Sequence, residues 1–256
     1  FSDPTSFAQM VSRLMVTEIR RRASNKTTEK ASLSIVEFLE ISPTVNSAAD
    51  KKGWILLSTL NILVSFNSTH LIALMTSNSL ASTLVKCLYL FFDLPPCCDT
   101  PNEESTDYLS NTERRALLQK VFSQLLTRLC ASPSALNDLT RKDDLSLLFN
   151  AITSWCPGHN AMWRQTASGV IVTMAKHGNI NMEYLHSKNC INLFVENVQR
   201  IVELGSTSNK DIILMFGTFI HFLIEYVNNA LNNTVNILLD DFSSSFGYQF
   251  FIDFAI

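Results

Sequence analysis

Few residues in this chain have the type and spacing for metal binding, nucleophilic attack or proton transfer. Cys156-Pro157-Gly158-His159 places a thiol and an imidazole three residues apart, with His177, His186 and Cys190 downstream, and this is the closest approach to a zinc site. Zinc ordinarily takes two paired ligand turns, and no C-x-x-C supplies a pair here. Pro157-Gly158 reads instead as the end of one helix, with Asn160 capping the next. Cys97 and Cys98 are adjacent, so they cannot both chelate one ion comfortably and read as ordinary thiols. His221 and Glu225 stand one helical turn apart, a spacing that suits an acid–base pair and, more commonly, a structural hydrogen bond. The chain has no G-x-S-x-G, P-loop, G-x-G-x-x-G or H-E-x-x-H, and its 7 Gly are scattered rather than clustered around a phosphate. The expectation is a chain that is not an enzyme and carries no metal or cofactor.

Cations cluster once. Arg13, Arg20, Arg21 and Arg22 form a candidate basic patch, with Lys26 and Lys30 nearby. Consecutive helical residues point about 100° apart, so the three adjacent arginines cannot all face one phosphate surface. Their position suits the negative end of a helix dipole, and anionic lipid or an acidic partner segment is the alternative. The whole chain has 20 Lys+Arg against 23 Asp+Glu, a formal charge of −3, which gives no bulk attraction for nucleic acid. No nucleic-acid partner is expected.

The elements that would position these groups are helices. Apolar residues recur with helical period over 4–22, 28–41, 51–66, 68–77, 80–92, 112–131, 142–155, 161–177, 189–203, 208–228 and 244–255, and strand alternation is nowhere convincing. Gly and Pro number only 7 each in 256 residues, which argues against a turn-rich β sandwich. Start signals include Asp50, Asn111, Asn160 and Ser206 or Ser208. The run from Ile212 to Ile224 is too short to span a bilayer and reads as a buried helix. Residues 93–109 hold three Pro and several acids with no period, and are expected to form a mobile loop within a single domain covering 1–256. The first residue, Phe1, and the apolar last residues suggest a piece of a longer protein, and six Cys in a chain this long suggest a reducing, cytoplasmic setting.

The helices also repeat. Ala81, Leu84, Val85 and Leu88 align with Leu145, Leu148, Phe149 and Ile152, and these with Ile191, Phe194, Val195 and Val198, each set on one helix face. Gly247, Phe250, Phe251 and Phe254 form a looser fourth copy. The copies lie 64, 46 and 56 residues apart, and removing 93–109 brings the first interval to 47, the length of an armadillo-like unit. The expected fold is all-α, an armadillo/HEAT-like helical-repeat solenoid. The alignment turns a polar ladder away from the core: Ser82, Lys86 and Tyr89; Ser146, Asn150 and Thr153; Asn192, Glu196 and Gln199. In such solenoids the third helices line a concave surface, so this ladder is the candidate protein-binding groove.

Specific strings add to that reading. VSRLMVTEIRRRASNKTTEKAS (11–32), STLVKCLYLFFDLP (82–95), ERRALLQKVFSQLL (113–126), KDDLSLLFNAITSWCP (142–157) and LLDDF with a following GY (238–248) closely resemble the N-terminal region of the autophagy-linked FYVE proteins, the Alfy/Blue cheese group of BEACH-domain scaffolds. The resemblance implies a giant cytoplasmic adaptor in which a helical-repeat region precedes PH-like, BEACH, WD-repeat and FYVE modules. It implies a role in selective autophagy of protein aggregates, with autophagy or trafficking factors as partners and peripheral association to autophagosomal or endosomal membranes. Those modules lie outside these residues, so no functional residue of the family carries over. The alternative it leaves is an endosomal or lysosomal trafficking module touching anionic membrane through Arg13 and Arg20–Arg22.

Overall fold

The computed structural model describes residues 3–40, 51–98, 109–178, 180–205, 208–229 and 232–255. Among them the secondary structure is all helical: α1 (Pro4–Ala23), α2 (Thr28–Leu39), α3 (Lys52–Ser65), α4 (Thr69–Ser77), α5 (Leu80–Leu90), α6 (Asn111–Cys130), α7 (Pro133–Arg141), α8 (Asp144–Ala151), α9 (Ala161–Lys176), α10 (Met182–Ser187), α11 (Cys190–Leu204), α12 (Asn209–Asn229), α13 (Asn232–Ser244) and α14 (Gly247–Ala255). The periodicity locates most of these and misses α7, α10 and α13. Helices α7 and α10 are under three turns long, too short to establish a period. Asp50 lies outside the described residues. Ser110, not Asn111, caps α6 in a reciprocal box with Glu113, and Ser208 accepts the Asp211 N–H at the start of α12.

Many of the helices pack on the helix three places further along the chain. α3 lies on α6, α6 on α9 and α9 on α12; α4 lies on α7 and α10 on α13; α5 lies on α8 and α8 on α11. At the N-terminal end α1 lies across α2, α3, α4 and α5. The same junction introduces each helix of the α5, α8, α11 and α14 series. Two residues separate it from the preceding helix, and the second of them is left-handed: Ser79 (φ 63°), Asp143 (φ 61°), Asn189 (φ 54°) and Phe246 (φ 58°). A left-handed residue turns the chain sharply enough for two helices to meet without a loop. Asn and Asp tolerate that conformation best, and bulky Phe246 tolerates it least.

These junctions correct the sequence alignment by one residue at its last copy. Counting from the left-handed residue, Ala81, Leu145 and Ile191 correspond to Tyr248, and Val85, Phe149 and Val195 to Ile252. The three complete sets are all buried as expected. Aromatic contacts run between them: Phe149 meets Phe194 and Phe222 at 5.9 and 5.6 Å, and Phe194 stacks on Phe219 at 4.6 Å. A second cluster, Phe91, Phe122 and Trp163, joins the end of α5 to α6 and α9.

The expected loop does not begin at Asp93. Phe91–Asp93 is a 3-10 turn, Leu94 is buried, and the carbonyls of Phe92 and Leu94 accept from the Asn160 amide at 2.9 and 2.7 Å. Arg115 donates to the Pro95 carbonyl at 2.6 Å. Asn160 therefore tethers this segment instead of capping α9, and residues 99–108 of the expected loop lie outside the described residues. Helix α12 also departs from expectation. It is 21 residues long, and by length and composition it could cross a bilayer. One face, with Ile212, Met215, Phe219, Phe222 and Tyr226, is buried and packs mainly along α9, while Ile213, Ile220, Ile224 and Val227 are exposed.

Ser82 is the clearest correction to the polar ladder. It is 1% exposed, its N–H donates to Asp138 of α7 at 3.2 Å, and its hydroxyl donates to Asp144 of α8 at 2.5 Å. Asp138 and Asp144 are themselves buried, and Arg141 and Lys86 pair with them at 3.5 and 3.4 Å. Ser82→Ala would leave the buried Asp144 carboxylate with Lys86 but without its hydroxyl donor and should cost about 1–3 kcal/mol. Leu148→Ala, which opens a cavity between neighbouring helices, should cost about 2–5 kcal/mol. The half-exposed Ser146 should change by no more than about 0.5 kcal/mol when replaced by Ala. Urea denaturation with hydrogen exchange resolved by helix checks the order, and Ser82→Ala as mild as Ser146→Ala would refute the buried network.

Candidate functional site

The ladder expected to form a groove divides into two parts. Toward the N-terminal ends of α5, α8 and α11 its polar groups satisfy one another. Lys86 is spent on Asp144, Ser146 donates to the Asp143 carbonyl at 3.0 Å, and Asn192 donates to Glu196 at 2.7 Å. Gln199 is half-buried further along α11. Toward the C-terminal ends the helices part and enclose a surface pocket of about 390 Å³. Tyr89 and Thr153 of the expected residues line it, with Ser154, Trp155, Asn197 and Arg200.

Local structure fixes these side chains. Tyr89 stacks on Phe92 at 5.9 Å, and its hydroxyl lies 3.5 Å from the Ser154 hydroxyl. Thr153 is buried, contrary to expectation, because α8 ends at Ala151 and the chain turns inward. Its hydroxyl donates to the Asn150 carbonyl and accepts from the Asn197 amide at 3.4 Å, making it the floor of the pocket. Arg200 donates to Asn197 at 2.9 Å. Trp155 is 71% exposed at the rim. Behind the turn lies Arg164, 2% exposed, which donates to the Ser154 carbonyl at 2.7 Å and pairs with Asp211 at 3.2 Å. One buried guanidinium thus ties the Trp155 turn to both α9 and α12. The Asn150 side-chain oxygen is buried without a hydrogen-bond partner among the described residues. The expected helix 142–155 included Trp155 but gave it no place in the polar ladder, and the helix in fact stops at Ala151; Asn197 and Arg200 were missed because the alignment assigned their neighbours Glu196 and Gln199 to the polar face.

The pocket offers aromatic faces and hydrogen-bond donors, with Phe92 and the exposed Asp93 carboxylate completing its lining. Cys156 is half-buried; burial pushes its thiol up, the carboxylates of Asp211 and Asp93 add to that, and Arg164 opposes them. Such a thiol is a poor nucleophile at neutral pH. His159 is engaged by the Leu94 carbonyl at 2.9 Å, and among the described residues no three of His, Cys, Asp and Glu converge as a metal-binding group. Glu225 accepts from Asn229 at 3.4 Å. Buried Cys87 and Cys130 are pushed up to about 12 by desolvation.

The basic patch is not one surface. Arg21 and Arg22 both reach Glu18, at 2.6 and 3.0 Å, and Arg22 also donates to the Ser34 carbonyl at 3.2 Å and lies 4.6 Å over the Phe38 ring. Arg22 is a strut between α1 and α2, and only Arg13 and Arg20 stand exposed without an ion pair among the described residues. The hydrogen bond from Arg21, with a smaller one from Arg22, lowers the Glu18 carboxyl from 4.5 to about 2 against the opposing effect of burial. A carboxylate depressed by folding stabilises above its unfolded value, and that contribution is lost as pH falls through the folded value. Glu18→Gln should therefore be less stable than the natural chain at neutral pH. The difference should shrink as pH falls below about 4.5 and vanish near 2, read by urea midpoints at stepped pH; a pH-independent difference would contradict the ion pairing.

Among curated proteins the chain is similar to WD repeat- and FYVE domain-containing protein 4 of Homo sapiens, 25% identical over 197 residues, and to the Mus musculus protein of the same name, 26% identical over 197 residues. The matched part is 77% of this chain and 6% of each relative, so the chain spans a small fraction of the length of the curated relatives it matches. No family model matches the chain, and no solved structure matches it. The likeness supports a distant relation to WD-repeat and FYVE-domain proteins as a group and does not extend to the narrower autophagy-linked group.

Proposed function

We propose that this chain is a non-catalytic docking module, armadillo-like in its stacking, within a large WD-repeat and FYVE-domain scaffold. The observation that carries the reading is the pocket where α5, α8 and α11 part: Tyr89, Trp155, Asn197 and Arg200 offer aromatic faces and hydrogen-bond donors beside the Asp93 carboxylate. Such a surface suits an extended peptide, whose carbonyls take the donors and whose side chains lie on the rings. The three-place packing and the recurring left-handed junction support the armadillo-like description. Selective autophagy of protein aggregates, in the cytoplasm and with autophagy or trafficking proteins as partners, is the role supported by the sequence strings. In this reading membrane attachment belongs to modules outside these residues, and neither a cofactor nor nucleic acid takes part.

The trafficking reading through anionic membrane has less support, since Glu18 engages two of the four arginines that would carry it. Two measurements test the proposal. Proximity labelling from the complete protein should lose a subset of neighbours when Trp155→Ala and Arg200→Ala are combined, with unchanged thermal stability because both side chains are exposed. An unchanged set of neighbours would refute the groove. Vesicles containing phosphatidylinositol 3-phosphate should sediment no more of the 256-residue chain than neutral vesicles do. Retention that is lost on changing Arg13 and Arg20 would transfer the function to the membrane.

A further inference from the structure

The C-terminal face of the stack exposes apolar surface in two of its three helix series. In α12 the residues Ile213, Gly217, Ile220, Ile224 and Val227 alternate steps of four and three along one side. The four apolar side chains are exposed, and Gly217 has open space where a Cβ would stand. A four–three alternation is the seam that one helix presents to another lying nearly along it, and a glycine in the seam lets the partner backbone approach closely.

Helix α9 shows what a completed member of this series looks like. It carries two such seams, Trp163, Ala167, Val170 and Met174, and Arg164, Ser168, Ile171 and Ala175, and both are buried. The first meets α6, where Trp163 packs on Phe122 at 5.9 Å, and the second meets α12, where Arg164 pairs with Asp211. Helix α12 has the inner seam covered and the outer one open. Helix α14 repeats the situation independently. Tyr248 and Ile252 stand where Ala81 and Val85, Leu145 and Phe149, and Ile191 and Val195 are buried, yet both are exposed.

We infer that this face is an interface for a further three-helix unit of the same build in the same polypeptide, its first helix lying along the outer seam of α12 and its third against Tyr248 and Ile252 of α14. The interface continues one already formed three times, by α3 on α6, α6 on α9 and α9 on α12. The curated relatives match over only 6% of their length, which leaves ample chain in such proteins for further units.

The test uses Ile220→Cys and Ile252→Cys, substitutions at exposed positions, in both the 256-residue chain and the complete polypeptide. Maleimide labelling of each introduced thiol is followed by peptide mass spectrometry and normalised to the rate in urea. Both sites should label at least about tenfold more slowly in the complete polypeptide than in the 256-residue chain, in which labelling should not depend on protein concentration. Equal rates in the two would overturn the inference. Protection in the 256-residue chain that grows with its concentration would assign the face to a second copy, through a surface such as the exposed Ile55, Ile62 and Phe66 of α3, and would also overturn it. Protection by neutral lipid vesicles would do the same in favour of a bilayer.

Discussion

The left-handed residue before each third helix is the constraint on which the remaining architecture depends. With only two residues between helices, the direction of α5, α8, α11 or α14 follows from one backbone conformation rather than from a loop that could be lengthened. Once that direction is set, one face of each helix meets the equivalent helix of the next unit, and the aligned Leu, Val, Ile and Phe positions become core. The conformation disfavours most side chains, so three of the junctions use Ser, Asp and Asn. At Asp143 the exposed side chain also supports the turn: it accepts from Tyr184 and pairs with Lys188 at 3.2 Å, which joins α8 to α10. Phe246 gains no such bond, and it introduces α14, where Tyr248 and Ile252, equivalent to buried positions elsewhere, remain exposed.

Buried charge supplies what apolar packing cannot. Leucine faces would tolerate small slips along the helix axis, whereas Asp138 and Asp144 have to meet the Ser82 N–H and hydroxyl, so a slip would leave a carboxylate without a partner. Arg164 does the same work one unit further on, since its guanidinium has to find both Asp211 and the Ser154 carbonyl. These contacts fix the register of neighbouring helices and, through Ser154, the position of the pocket. The groove is therefore a consequence of stacking: its walls come from three units, and the buried arginine that positions its Trp155 turn is bonded to a fourth-unit residue, Asp211.

Much of this was legible in the sequence, because helical period and burial are linked by geometry. A residue repeated at three and four positions lies on one face whatever surrounds the helix, so the twelve aligned apolar residues could be identified before any contact was known. Polar residues obey no such link. Ser82 and Ser146 occupy equivalent places in the alignment, and one is buried against two carboxylates while the other is half-exposed, since Asp138 and Asp144 arrive from other helices. Arg22 illustrates the same point: beside Arg20 and Arg21 it reads as surface charge, and its burial against Phe38 depends on where α2 lies.

The amino-acid sequence by itself determined the helical class, the apolar faces and the lack of nucleophile or zinc motifs, because these depend on residue type and local spacing. Only the tertiary structure decided the one-residue shift at α14, the tethering of Leu94 by Asn160, the depth of Ser82 and Thr153, and the convergence of Tyr89, Trp155 and Arg200 on one pocket. Each of these depends on which segments distant in the chain become neighbours. That is set by the direction of four tight turns and by the pairing of a few buried charges, and neither leaves a periodic trace in the sequence.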